Sequence, residues 1–157
     1  MFQKYLFCFF LAMVPLIELR LAVPMALGMD LPVLPAYLVC IIGNMLPVPI
    51  IYFFARKVLI WGCDKPYIGK FFTYCLEKGH RGGERLVAKT GRGGLFVALM
   101  LFVGIPIPGT GAWTGALGAS FLNMGFRATV GSVCLGVALA GCIMAAVTTA
   151  GLHIFGL

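Results

Sequence analysis

The chain has 157 residues, 61% of them hydrophobic and 11% charged, where a soluble domain carries about 25% charged residues. A mean hydropathy of +1.02 excludes a water-facing globule, because too few polar groups would remain to cover its core. The solvent is lipid, and the formal charge of +7 has to be placed at its edges.

The first charge-poor stretch is 5–29. Lys4 and the apolar run behind it imitate a signal peptide, but Glu18 and Arg20 interrupt the region where cleavage would fall, so retention is expected. Pro15, Glu18, Arg20 and Pro24 cluster near its middle, which predicts a re-entrant helical hairpin broken at Pro15 and Pro24. The stretch 31–55 makes a helix of about 37 Å, enough to cross a hydrocarbon core of about 30 Å with some tilt. Asn44 is its middle residue, and Pro47 and Pro49 free carbonyls near it. Asn44 either lines a cavity or hydrogen-bonds to a neighbouring helix.

Residues 56–92 hold nine of the twelve basic side chains against Asp64, Glu77 and Glu84, so this stretch is 9 − 3 = +6. Short loops rich in Lys and Arg stay in the cytoplasm. Beside an anionic leaflet, topology and headgroup attraction explain the charge better than nucleic acid does. A short surface helix within 61–90, with Phe71, Phe72 and Leu76 facing lipid, is expected. The glycine clusters around His80 and Arg92 lack a preceding strand and a G-K-[ST], so they are weak phosphate signals.

The run 93–126 is too long for one ordinary span and is broken by Pro106, Pro108 and Gly109. Its pieces, 93–105 and 111–124, each reach about 20 Å as helices. A second re-entrant hairpin fits. At its turn Thr110 is placed to cap the returning helix, Gly111 starts it, and Trp113 and Thr114 follow within one turn. The last stretch, 128–157, has no proline and predicts a full span. Small residues four apart (Gly111 and Gly115; Ala128, Ser132, Gly136 and Ala140) favour close packing within the chain over a homodimer seam. The six cysteines show no C-x-x-C pair, and His80 and His153 lack metal-spaced partners, so no metal or cofactor is expected.

If both broken segments return to the side they came from, the chain is an all-α membrane protein of two inverted repeats. Each repeat is a hairpin plus a span, and the basic segment joins them. If both segments cross fully, the two halves are parallel instead. Inverted repeats with broken helices meeting at the midplane are a transporter architecture.

Pro15-Leu16-Ile17-Glu18-Leu19-Arg20-Leu21-Ala22-Val23-Pro24 resembles the E-L-R-G-A-I-P signature of the small multi-drug export protein family, with Leu21 where the family usually has glycine. Gly43-Asn44-Met45-Leu46-Pro47-Val48-Pro49 resembles a second motif of that family. The run from Pro106 to Leu117 is similar to its P-L-P-G-T-G-A-W-T-G-A-L. The resemblance implies a distant relation to the DedA, or VTT-domain, superfamily. Those proteins are thought to hold two opposed re-entrant hairpins, and members are linked to proton-coupled movement of lipids or lipid phosphates.

The residues themselves point the same way. Glu18 and Arg20 are the charges deep inside an apolar run, and such residues are functional candidates. Glu18 is the expected proton carrier. Arg20, with the amides at the start of the returning helix, is the expected grip on an anionic group; Asn44, Thr110, Gly111, Trp113 and Thr114 complete the expected substrate-binding set. A structural pair of mutually neutralising charges is the alternative. The expected function is a small secondary transporter of the cell inner (plasma) membrane, proton-coupled, moving a small or amphipathic and anionic or lipid-phosphate solute. The alternative is a non-transporting membrane-organisation protein acting on the bilayer. An enzyme is not expected, since no nucleophile, acid–base or metal set converges.

Overall fold

The computed structural model describes residues 1–15, 17–65, 69–107 and 110–155, without the side chains of 59, 72, 75, 76, 79, 82, 83, 86 and 152–155. Among the described residues every regular element is helical: α1 Phe2–Met13, α2 Glu18–Gly28, α3 Val33–Met45, α4 Pro47–Cys63, α5 Gly69–Gly104, α6 Ala112–Phe121 and α7 Phe126–Phe155. Among the described residues three helices are long and apolar enough to cross a membrane: Val33–Cys63 (α3 with α4), Val87–Gly104 within α5, and Phe126–Gly151 within α7. Large apolar side chains such as Leu34, Ile42, Ile50, Leu135 and Val147 stand exposed on the outer faces. In lipid that exposure costs nothing. The protein is a membrane protein.

Small residues and glycines set the core. Gly43 lets α1 approach α3, since a side chain there would run into the Phe9 carbonyl. Gly136 brings α7 onto α5, where an added Cβ would stand 2.7 Å from Met100 O and 2.8 Å from Val103 Cβ. The 128–140 stripe of small residues thus includes a position that packs within the chain, as its spacing predicts.

Two tyrosines fix the direction of the spans. Tyr37 Oη donates to Ala138 O at 2.7 Å, and Tyr52 Oη donates to Met124 O at 2.5 Å. As the chain advances along α3 and α4 it retreats along α7, so these two run antiparallel. Both broken segments fold back as helical hairpins. Lys4 Nζ donates to Met29 O at 2.8 Å, closing the open end of α1 and α2. In the second hairpin, Gly115 faces Val103 and Leu99, and Leu95 and Leu122 line the same two cavities, so the end of α5 and α6 are also antiparallel. The neighbours repeat: α1 packs on α2 and α3 as α5 packs on α6 and α7, while α2 touches α7 as α6 touches α4.

Several boundaries differ from expectation. The first hairpin breaks at 14–17, and α2 runs helically through Pro24. Pro24 is the seventh residue of α2, and the hairpin had already turned before it. The first span continues past Arg56 to Cys63, because nothing in Arg56 or Lys57 opposes helix. The basic stretch is helical from Gly69 up to the kink at Gly91, a longer helix than the short one expected within 61–90. Gly91, at φ 72 and ψ 177, kinks α5 in a conformation that favours glycine. Phe71 is exposed, whereas the side chains of Phe72, Leu76 and His153 lie outside the described residues, as do Gly79, Gly82 and Gly83 beyond their backbone.

Candidate functional site

The two hairpin tips meet. Trp113 Nε1 donates to Met13 O at 3.1 Å, tying the start of α6 to the end of α1. Glu18 starts α2 at φ 49, a left-handed conformation that a long side chain rarely adopts unless its surroundings hold it there. The surroundings are the first amides of α6. Ala112 N donates to Glu18 Oε2 at 3.3 Å and Trp113 N to Oε1 at 3.2 Å. A helix N-terminus leaves these donors without intrahelical partners and carries partial positive charge, so a carboxylate satisfies both demands.

Glycine at 111 makes this approach possible. A Cβ there would fall on the Glu18 carboxyl group, so no other residue fits while the carboxylate stays. Gly111 is extended at φ −144 and is the N-cap of α6; its own N–H donates to Thr114 Oγ1 at 2.8 Å. The expected cap is therefore displaced by four residues: Thr114, not Thr110, serves the N-terminus.

Thr110 works with Arg20 on the other flank. The guanidinium donates to Ile107 O, to Ile105 O at 3.3 Å, to Val103 O at 3.5 Å and to Thr110 Oγ1 at 2.9 Å. Thr110 Oγ1 in turn lies 3.0 Å from Ile105 O and 2.9 Å from Ile107 O. Val103 belongs to the last turn of α5, whose carbonyls lack helical partners and favour a cation. Pro106 adds no donor to this turn.

Glu18 thus takes the positive end of α6, and Arg20 takes the negative end of α5. Each charge is hydrogen-bonded at a helix terminus. The amides are not bare and the arginine fork is not free, because the chain's own groups already occupy both. Beside them lies a cavity of about 170 Å³, bounded by Pro15, Glu18 and Arg20 from one hairpin and by Thr110, Gly111, Trp113 and Thr114 from the other.

Asn44 is placed elsewhere. It is buried in α3 at 2% exposure, with Oδ1 lacking a hydrogen-bond partner, and it does not line this cavity. Pro106 stands in the bend after α5; Pro108 and Gly109 lie outside the described residues. The sequence could not indicate the carbonyls of Met13, Val103, Ile105 and Ile107, since a backbone acceptor has no side-chain signature. Pro106 was the one available sign of a turn with unserved carbonyls. Among the described residues no group of His, Cys, Asp and Glu is arranged to hold a metal.

The family described as "Putative small multi-drug export protein" matches residues 18–143, from the buried carboxylate into α7. No curated protein and no solved structure matches.

Proposed function

The chain belongs to the small multi-drug export protein family, and from that premise we propose a small secondary transporter of the inner (plasma) membrane, proton-coupled through Glu18. The observation that carries this reading is the Glu18 carboxylate, 6% exposed, held by two α6 amides at the rim of a small cavity that Arg20, Thr110 and Thr114 also line. An ionisable group at such a depth is costly in lipid and is a candidate for proton movement. Ionised, Glu18 accepts from both amides and clamps the two hairpin tips together. Protonated, it loses its charge and part of its acceptor strength, and the positive end of α6 is released. A polar group of the solute then takes the vacated amides while Arg20 keeps the second tip in shape. Proton and solute thereby act on the same contact.

In this reading the hairpins are re-entrant and the two halves inverted. Support comes from the antiparallel course of α3–α4 against α7 and from the repeated pattern of neighbours. Full crossing of both broken segments would make those spans parallel. The distant DedA relation is part of the same proposal and rests on the motif resemblance. The solute is small or amphipathic; its polar part meets the vacated α6 amides and nearby hydroxyls, a set that suits an anionic or phosphate group.

The test is flux in proteoliposomes across candidate solutes, with and without a pH gradient. Wild type should show gradient-dependent flux, and Glu18→Gln should insert normally but lose it. Gradient-driven flux that survives in Glu18→Gln would overturn the coupling.

A further inference from the structure

Three cavities lie end to end along α5 and α6. The one at Glu18 and Arg20 shares Thr114 with an apolar crevice of about 300 Å³ between the two helices. That crevice is walled by Ala98, Leu99 and Phe102 on one side and by Gly115, Gly118 and Leu122 on the other. Leu95 and Leu122 then belong both to the crevice and to a third cavity of about 620 Å³, which holds His80, Glu84 and Arg92 near the start of α7. From Arg92 to Phe102 is ten residues of α5, about 15 Å of helix. The row therefore leads from the basic part of the chain to the buried carboxylate.

The wall residues show why the crevice stays open. Gly115 is used up in packing, since an added Cβ would stand 2.5 Å from Val103 Cγ2. Gly118 is different: a Cβ there would meet nothing within 4 Å. A glycine that neither turns the chain nor admits a neighbour leaves empty volume beside an apolar wall. At both ends of that volume stand charged and hydrogen-bonding groups.

We infer that this crevice is the path by which a single-chain amphipath reaches the Glu18–Arg20 cavity, its alkyl tail between α5 and α6 and its polar head in the cavity. The inference rests on the transporter reading and specifies its solute. Apolar walls accept the tail without hydrogen-bond requirements, and Thr114 marks the point where the lining turns polar. A compact polar solute would gain nothing from the apolar length, and a wholly apolar one nothing from its ends.

The test is photolabelling in phosphatidylcholine proteoliposomes without a pH gradient, so that binding is measured whether or not Glu18 couples to protons. The probes are a single-chain alkyl phosphate and the matching alkyl trimethylammonium, each with a diazirine in the tail. Saturable labelling of α5 and α6 around Ala98, Phe102 and Gly118 is expected with at least one head, and the comparison of the two shows which charge the cavity takes. Gly118→Phe and, from the opposite wall, Ala98→Phe should each reduce it by about tenfold or more, while Gly118→Ala should keep it. Non-saturable labelling spread over lipid-facing residues such as Ile42 and Ile50 would show bilayer contact only and overturn the inference. So would full labelling in both phenylalanine variants with unchanged melting temperatures, or no labelling by either probe. Crevice labelling retained in Glu18→Gln, alongside gradient-driven flux in that variant, would overturn proton coupling and leave the path standing.

Discussion

Glu18 combines three features that each cost free energy: burial, a charge within an apolar run and a left-handed backbone. They persist together because the amides of Ala112 and Trp113 satisfy both carboxylate oxygens. In Glu18→Gln the side chain can accept from one amide only, and its NH2 faces the second. A buried N–H left without a partner costs about 1–3 kcal/mol. The variant should therefore fold, melt measurably lower in detergent, and carry no gradient-dependent flux. Gly111→Ala places a methyl where the carboxyl group sits, so it should keep its helical circular dichroism while flux falls about tenfold or more; unchanged flux would mean the contact is incidental. Arg20→Lys retains the charge but replaces a planar fork that serves several acceptors with a single ammonium. Its flux should fall even though the charge count is the same.

At the scale of the helices, glycine has two uses that a substitution series separates. Gly136 is an approach site, its missing Cβ occupied by Met100 O and Val103. Gly136→Val should push α7 from α5 and lower the melting temperature, with loss of several kcal/mol where backbone has to move. Gly118 is an open site, and Gly118→Ala should be neutral or stabilising by roughly 0.5–1 kcal/mol, the helix-interior difference between the two residues. A melting temperature lowered equally in both variants would show that the two glycines are not distinguished by packing.

The molecule as a whole is oriented by its charge. The basic segment 56–92, with nine basic residues against three acidic ones, is expected to resist translocation and to face inside. With re-entrant hairpins, both ends of the chain then face outside. A reporter fused after residue 157 should read the external side, whereas full crossing of both broken segments puts it in the cytoplasm. An internal signal would remove the inverted arrangement while leaving the hairpin contacts, which are within the chain, unaffected.

Composition and hydropathy determined the solvent, the two long spans and the basic segment between the halves, because these follow from counts and run lengths that no fold can alter. The proline and glycine breaks likewise foretold two turns, since a missing N–H disfavours a helix interior. Pro24 shows the limit of that rule: α2 continues through it, the chain having already turned at 14–17. The motifs singled out Glu18, Arg20 and the Thr110–Gly111–Trp113 turn, but not their partners. Only the tertiary structure decided that the acid binds amides, that the arginine binds carbonyls, and that Asn44 stands apart. Those partners are backbone groups or distant side chains, 83 to 95 residues away along the chain. What unites them is the orphaned hydrogen-bonding capacity of helix ends, which exists only once the helices have formed and met.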